Sequence, residues 1–185
     1  MQLQNMDAPI ISVITVCYNV ASTIEKTMLS VLNQTYKNLE YIIIDGNSTD
    51  GTVDIIKKYA ERLTFWISEP DKGIYDAMNK GIVKATGKFL IFMNAGDQFL
   101  NEKVLSKCLP YFLQEIDVIS GIGYLSGQKW IPAKATDLSV AFFLKRSLNH
   151  QATFINRKLF QDNLYRTDLK IVGDSVFFFQ ALIMD

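Results

Sequence analysis

Two phosphate-binding motifs are absent from this chain of 185 residues. No GxGxxG follows the first apolar segment, and neither GxxxxGKS nor GxxxxGKT occurs anywhere in the sequence. The first motif marks Rossmann dinucleotide-binding domains and the second marks P-loop NTPases. Rossmann oxidoreductases and P-loop enzymes are therefore disfavoured.

Cysteine and long apolar runs are also scarce. Cys17 and Cys108 stand far apart in apolar surroundings, and we interpret them as reduced and structural, with a disulfide as the alternative. No apolar run approaches the roughly 20 residues that a membrane helix needs, and the N-terminus lacks a signal-peptide pattern. We therefore expect a cytoplasmic protein that is soluble or at most peripheral, at the inner face of the membrane.

Charge of one sign does not predominate either. Nineteen basic residues balance nineteen acidic ones, so the overall field gives no reason to expect a nucleic-acid partner. With 49% hydrophobic and 21% charged residues, the composition fits one globular domain with a sizeable core.

Strand-like and helix-like patterns alternate through the first half. The expected elements are a strand at 10–16, a helix to about 33, a strand at 41–44, a helix at 52–61, a strand at 63–67, a helix at 74–85 and a strand at 89–93. Ser22 and Glu25 form a candidate capping box, and Gly87 is a candidate helix C-cap. This βαβαβαβ order predicts an α/β fold with a parallel, doubly wound sheet.

The second half is less regular and is expected to be partly antiparallel. The pattern predicts a helix at about 102–112, short strands and turns around the glycines at 121, 123 and 127, a strand at 149–155, a short helix at 157–162 and a last helix near Asp174. The segment VFFFQALIMD stops inside a helical pattern, so we expect the natural protein to continue past Asp185.

Carboxylates end two of the predicted strands. KFLIFMNAGD delivers Asp97 after one apolar run, and YIIID delivers Asp45 after another. Ligands in open α/β sheets collect where the strands' carboxyl ends meet loops, and carboxylates there can hold a hard cation and its phosphate. The alternative for either residue is a turn or N-cap role.

Three groups of segments together resemble the family 2 glycosyltransferases. They are SVITVCYNVASTIEKTMLSVLNQTYKNLEYIIIDGNSTDGT, then DKGIYDAMNKGIVKATGKFLIFMNAGD, and finally NHQATF with IVGDSVFFF. The resemblance implies an inverting, nucleotide-sugar-dependent enzyme with a GT-A-type, Rossmann-like sheet. It implies a single domain in which residues from about 1 to 97 bind the donor and residues from about 98 to 185 form the acceptor and catalytic half.

The resemblance assigns Asp97 to the metal, Mg²⁺ or Mn²⁺. Here the family's DxD-type element reads Asn94-Ala95-Gly96-Asp97, so Asn94 and Gly96 replace two carboxylates common in the family. Asn94 can still offer an amide oxygen to the cation or a hydrogen bond to the ribose. A magnesium site that takes most ligands from phosphates and water needs only one or two protein carboxylates.

Nucleotide contacts are implied for three further segments. Asp45 matches the first acid of the family's DDGS element and is expected to contact the base, which favours uridine; its alternative is an Asx turn. The loop after the first strand, with Val16, Tyr18 and Asn19, is expected to contact base and ribose, although Asn19 could instead cap the helix. Lys72 is the candidate for the phosphates, with a solvated lysine as the alternative.

Donor-sugar and acceptor contacts complete the implied site. Asp71 and Asp76 are candidates for the hydroxyls of the donor sugar, although helix capping would also explain them. Asp174 is the candidate general base, at a helix start whose dipole stabilises its charge. His150, the only histidine, is assigned to the acceptor and diphosphate side, with a structural hydrogen bond as the alternative.

Together these features predict transfer of a sugar from a nucleotide donor, a UDP-sugar by default, to a hydroxyl of a glycan or lipid-linked acceptor in surface polysaccharide biosynthesis. A catalytically inactive nucleotide-sugar-binding protein and a nucleotidyltransferase of related fold are the alternatives. Core packing is the favoured interpretation of the aromatic runs at 142–146 and 177–179. An acceptor or membrane-surface role for 142–146 is the alternative.

Overall fold

A computed structural model describes residues 8–184, which form a layered α/β fold. The strands are β1 (Ile11–Cys17), β2 (Leu39–Asp45), β3 (Phe65–Ser68), β4 (Phe89–Phe92), β5 (Val118–Ser120), β6 (Gly123–Leu125), β7 (Gln128–Trp130) and β8 (Thr153–Asn156). The helices are α1 (Ile24–Leu32), α2 (Thr52–Lys58), α3 (Ile74–Lys84), α4 (Val104–Phe112), α5 (Val140–Phe143) and α6 (Gly173–Phe179). Short 3₁₀ turns and a π-helical turn at Gln180–Met184 complete the described chain.

Six strands form the main sheet in the order β3-β2-β1-β4-β8-β5. The first four are parallel, whereas β8 runs antiparallel to both β4 and β5. Strands β6 and β7 form a separate antiparallel hairpin. The α/β fold class is thereby confirmed, with a parallel sheet that continues into antiparallel strands.

Side chains that alternate along the strands build a core on each face of the sheet. On one face, Ile14 and Ile42 pack with Met78 of α3 and with Phe177 and Phe178 of α6. On the other, the buried apolar residues of α1, α2 and α4 cover the opposite side chains of β1, β2 and β4. Core packing of Phe177 and Phe178 is thus confirmed, and Phe179, half-buried, packs edge-on against Phe143.

The capping box predicted at the start of α1 is wrong. Thr23 is the N-cap and makes no side-chain capping bond. The carboxylate of Glu25 instead accepts a hydrogen bond from the Tyr59 hydroxyl at 2.8 Å, which ties α1 to the end of α2. A tertiary partner has replaced the local backbone partner that the spacing suggested.

Gly87 is not the C-cap of α3, because the helix ends at Lys84 with Ala85 as its cap. A Cβ at Gly87 would lie 2.5 Å from Ser12 Oγ and 2.7 Å from the Ile10 carbonyl oxygen. The glycine allows the chain to enter β4 directly against β1. Its N–H donates to Ser12 Oγ at 2.9 Å.

Other differences from the expected elements are small. The predicted strand at 149–155 is a 3₁₀ turn, His150–Ala152, followed by β8, and the predicted helix at 157–162 is a 3₁₀ turn, Arg157–Phe160. Both cysteines are free thiols. Within residues 8–184, no helix has the length and apolar character required to cross a membrane.

Candidate active site

A cavity of about 330 Å³ opens where β1 and β4 end and α3 begins. This is the edge at which open α/β sheets bind ligands. Its lining combines one exposed aromatic ring, one carboxylate and one amide with small apolar side chains. The lining residues are Val16, Cys17, Tyr18, Val20, Asp71, Gly73, Ile74, Ala77, Asn94 and Ala95.

The loop after β1 is fixed by the turn that follows β2. Asn19, at φ 51°, donates its N–H to Ser48 Oγ at 2.7 Å and accepts from the Thr49 N–H at 2.9 Å. The Ala21 N–H donates to Asp50 Oδ2 at 2.9 Å. Asn19 is therefore a link between two loops and not the helix cap. These bonds hold the loop that presents the Tyr18 ring, 63% exposed, at the cavity.

Ser48 and Asp50 were missed as organising residues by sequence reasoning. The signal for them is the polar run GNSTDG that follows β2. Short hydroxyl and carboxylate side chains are the groups that bond neighbouring backbone N–H groups. Which loop they would bond is decided by β1 and β2 pairing in parallel, so that Cys17 and Asp45 end side by side.

Asp45 lies beneath the cavity and is fully buried. Its carboxylate accepts from the Ser48 N–H at 2.8 Å, from Ser48 Oγ at 2.5 Å and from Ser68 Oγ at 2.6 Å. In this conformation the Asp45 carboxylate is not exposed to a nucleobase in the cavity. These bonds give Asp45 the turn-forming role that was the alternative, and its contact with a nucleobase stays a prediction.

Lys72 and Asp76 also lie outside the cavity lining. Asp76, in the first turn of α3, accepts from the Lys72 N–H at 3.0 Å and pairs with Lys80 at 3.8 Å. Its carboxylate thus stabilises the helix start, as the capping alternative proposed. The Lys72 side chain is exposed, so a phosphate contact by this lysine remains a prediction.

A chain of polar contacts leads from the cavity to the candidate base. Asn94 Nδ2 lies 3.2 Å from His150 Nε2, and His150 Nδ1 lies 2.9 Å from Asp174 Oδ2. The Tyr75 hydroxyl donates to Asp174 Oδ1 at 3.2 Å and accepts from the Gly173 N–H at 2.9 Å. Three residues predicted separately are therefore brought together, and Tyr75 is a partner that sequence reasoning missed.

The Asp174 carboxylate is kept ionised by these partners. Burial alone would raise the pKa of Asp174, but the hydrogen bond and charge of His150, with the Ser175 N–H and the Tyr75 hydroxyl, lower that pKa below its usual value. Only 17% of the Asp174 side chain and 15% of the His150 side chain are exposed. An ionised, positioned carboxylate can accept a proton from a hydroxyl that reaches it.

Asp97 follows Asn94 in a tight turn, closed by its N–H donating to the Asn94 carbonyl oxygen at 2.9 Å. The carboxylate is half-buried, and this burial raises the pKa of Asp97, while the charge of His150 and a hydrogen bond from Gln151 offset part of the rise. Nearby, Asn94 Oδ1 is buried and has no hydrogen-bond partner among residues 8–184. Both groups are oxygen donors of the kind that a hard cation accepts.

Residues 8–184 hold no cluster of three or more His, Cys, Asp or Glu side chains of the kind that binds a metal by itself. The donors present at this turn, Asp97 and Asn94 Oδ1, fit a hard cation that receives its other ligands from phosphate and water.

A second, larger cavity of about 530 Å³ lies beside Asp174. Its walls are mostly apolar, and Lys145 and Arg146 add positive charge. The lining residues are Phe143, Leu144, Lys145, Arg146, Ser147, Val172, Ser175, Val176 and Phe179. Phe142 and Phe143 pack against the core as predicted, whereas Leu144 is 80% exposed.

Residues 12–183 match the family model described as "Glycosyl transferase family 2". The chain belongs to glycosyltransferase family 2. The match covers both cavities and every predicted site residue, so the resemblance inferred from the three groups of segments is confirmed.

Two members of the family illustrate which proteins this family 2 chain is similar to in sequence. It is 34% identical over 161 residues to a PGL/p-HBAD biosynthesis glycosyltransferase of Mycobacterium bovis, covering 84% of this chain and 62% of that one. It is 37% identical over 119 residues to the putative teichuronic acid biosynthesis glycosyltransferase TuaG of Bacillus subtilis, covering 63% of this chain and 47% of that one. The chain therefore spans less than two thirds of either relative's length.

Solved structures show the same fold. S. aureus TarS in complex with UDP-GlcNAc superimposes with a TM-score of 0.76 at 22% identity, over 94% of this chain and 53% of that one. The mannosyltransferase PcManGT from Pyrobaculum calidifontis, in complex with GDP-Man and Mn²⁺, gives 0.74 at 22% identity, over 95% and 52%. The GT-A assignment of this family 2 chain is thus confirmed.

Proposed function

We propose that this protein transfers a hexose from a nucleotide sugar, a UDP-sugar, to an acceptor hydroxyl with inversion at the anomeric carbon. The observation that carries the proposal is the Asp174 carboxylate, ionised and held by His150 and Tyr75, in contact through His150 with the wall of a cavity at the sheet edge. This reaction needs at least a cleft that binds the nucleotide and a general base on the far side of that cleft.

The donor lies across the ends of the parallel strands in this proposal. Its nucleoside occupies the cavity beside Tyr18, and its diphosphate lies toward Asn94 and Asp97. The sugar then faces Asp174. The donor-binding part is residues 1–97 and the acceptor and catalytic part is residues 98–185, within one domain.

During transfer, Asp174 accepts the proton of the acceptor hydroxyl while that oxygen bonds to the anomeric carbon. The bond from the anomeric carbon to the diphosphate oxygen breaks, and UDP leaves with both electrons of that bond. Attack from the face opposite the leaving group inverts the configuration. His150 and Tyr75 hold the carboxylate in place, because each bonds a different oxygen of it.

Asp97, with Asn94 Oδ1, is proposed to hold Mg²⁺ or Mn²⁺. When bound, the cation supplies Lewis-acid stabilisation of the negative charge that develops on the leaving diphosphate. Support comes from the half-buried Asp97 carboxylate and from the buried Asn94 Oδ1 of the same turn, which has no hydrogen-bond partner in the described part of the chain. PcManGT, whose fold is shared, was solved with Mn²⁺.

The acceptor is proposed to be a glycan or lipid-linked sugar of a surface polysaccharide, since TuaG carries the name of such a pathway. The apolar cavity beside Asp174, with Lys145 and Arg146 on its rim, suits an acceptor with apolar and anionic parts. Exposed Leu144 next to these cations would also suit peripheral contact with a membrane surface. The two free thiols fit a reducing, cytoplasmic location.

Transfer is tested by incubating the protein with Mn²⁺, a panel of UDP-hexoses and a sugar-alcohol acceptor series. Proton NMR of the product reports the anomeric configuration through its coupling constant. A product of opposite configuration to the donor supports the proposal, and a product of the same configuration contradicts it. Binding of donor with no product in any reaction would favour a nucleotide-sugar-binding protein. Release of hexose 1-phosphate, with transfer of UMP to the acceptor, would favour a nucleotidyltransferase.

A further inference from the structure

The Asp71 carboxylate occupies the place where a side chain of residue 46 would otherwise lie. A Cβ built on Gly46 would lie 2.5 Å from Asp71 Oδ2, a distance too short for a Cβ contact. Asp71 Oδ1 accepts a hydrogen bond from the Gly73 N–H at 2.8 Å, so the orientation of the carboxylate is fixed by its own loop. The absence of a side chain at Gly46 is therefore what allows Asp71 to reach this point.

Tyr18 lies against the same point from another side. Its Cδ2 is 3.4 Å from the Cβ position on Gly46, and both Tyr18 and Asp71 line the cavity at the sheet edge. An exposed aromatic face thus stands next to a carboxylate oxygen that can accept a hydrogen bond. A flat heterocycle with an N–H in its plane satisfies both groups at once.

The charge of Asp71 excludes the phosphate end of a nucleotide from this position. Gly46 follows β2, whereas Asn94 follows β4 and the candidate base lies beyond it on the β8 side of the sheet. Asp71 is thus at the end of the cavity that is farther from Asp174, the proposed general base. This location suits the nucleobase better than the donor sugar.

We propose that Asp71 Oδ2 accepts a hydrogen bond from the N3–H of a uracil base stacked on Tyr18, and that Asp71 thereby selects uridine. The inference rests on the proposed use of a nucleotide sugar and names the residue that reads its base. It replaces the sequence prediction that Asp71 contacts the donor sugar. It also assigns the base contact to a residue of the cavity lining, whereas Asp45 is fully buried.

Cytosine provides the discriminating comparison. Its N3 carries a lone pair and no hydrogen, so it presents an acceptor to the Asp71 carboxylate where uracil presents a donor. A site that bonds a donor group rejects an analogue lacking that donor, because the polar group is left unpaired. Asp71→Asn would replace one carboxylate oxygen with an amide donor, which suits the N3 lone pair of cytosine.

The test is isothermal titration of UDP and CDP, each with Mn²⁺, into wild type, Asp71→Asn and Asp71→Ala. We expect wild type to bind UDP roughly tenfold or more tightly than CDP, the ratio that one charge-assisted hydrogen bond supplies. In Asp71→Ala the preference should disappear through loss of UDP affinity, and in Asp71→Asn it should shift toward CDP. Circular dichroism and Tm of the free proteins confirm that each variant folds.

Gly46→Ala gives an independent variant that leaves the carboxylate in the chain but displaces it. Its loss of UDP affinity should be large in the wild-type background and small in the Asp71→Ala background, since both changes remove the same contact. Asp54→Ala removes an exposed aspartate of α2 and is the matched control; UDP affinity should stay at the wild-type value.

Unchanged UDP affinity in Asp71→Ala would overturn the inference, and it is the result expected if Asp71 contacts the donor sugar, which UDP lacks. Additive effects of Gly46→Ala and Asp71→Ala would also overturn it. In both cases wild type still binds UDP and the proposed function stands. A wild type that binds no nucleotide would overturn the inference and the proposed function together.

Discussion

His150 Nδ1 lies 2.9 Å from Asp174 Oδ2, across 24 positions of sequence. The contact joins the 3₁₀ turn before β8 to the first turn of α6. Because Asn94 Nδ2 lies 3.2 Å from His150 Nε2, the carboxylate is linked to the turn that carries Asp97. One histidine therefore contacts both Asp174, the proposed general base, and Asn94, in the turn proposed to bind the metal.

Asp174→Asn should separate binding from chemistry. The amide keeps the shape of the side chain but cannot accept a proton, so transfer should fall roughly 10²–10⁴-fold, the range of acid–base catalysis. UDP affinity, measured by titration with Mn²⁺, should stay near wild type, because Asp174 does not line the nucleotide cavity. Transfer at the wild-type rate would show that another group, such as His150, is the base.

His150→Ala should move the acidic limb of the pH profile of kcat/KM. His150 is the main group that lowers the pKa of Asp174, so its removal lets burial raise that pKa. A base with a higher pKa is protonated at higher pH, so activity should be lost at a higher pH than in wild type. His150→Gln, which can still donate a hydrogen bond, should give a smaller shift. Identical acidic limbs in all three proteins would show that the pair does not set the protonation state.

Asp97→Ala should abolish the part of UDP binding that depends on Mn²⁺. The residue is half-buried at a turn after β4, outside the two clusters of the core, so the fold should remain intact. Thermal unfolding with UDP, with and without Mn²⁺, measures the effect. Asp54→Ala, with an exposed carboxylate on α2, serves as the control for loss of one charge. Metal-dependent stabilisation that survives in Asp97→Ala would locate the cation elsewhere.

Asp45→Ala should destabilise the fold by about 2–4 kcal/mol, because three donors from Ser48 and Ser68 lose a buried acceptor. Urea denaturation at neutral pH measures this. A variant as stable as wild type that has lost UDP affinity would contradict the structural role and restore the predicted base contact.

The parallel half of the fold was predictable because its signals are local and repeated. Apolar runs marked β1, β2 and β4, and the polar residues after them marked the ligand-binding edge. The alternation of strands and helices predicted parallel strands joined by crossovers, but the order of the strands in the sheet was not predicted. The pairing of β8 between β4 and β5 was not predictable in detail, since short strands in the second half carry little pattern of their own.

The polar residue types at the edge of the sheet were predictable, but the orientations of their side chains were not. Asp45 and Asp97 each follow an apolar run in the sequence, yet the first is fully buried under hydroxyl donors and the second is half-buried at a turn. The difference depends on Ser48 and Ser68, which approach Asp45 from two other parts of the chain. Likewise, Glu25 was expected to cap its own helix but bonds Tyr59, whose position only the packed fold defines.

Binding of UDP at the sheet edge is the central claim, and Tyr18 tests it most directly. The ring is 63% exposed, so Tyr18→Ala should leave the Tm of the free protein almost unchanged. Titration of UDP with Mn²⁺ should show saturable binding to wild type and an affinity roughly 10- to 100-fold lower in Tyr18→Ala, the loss expected from one stacked base. Equal affinity of the two proteins for UDP, or no binding by wild type, would contradict the account.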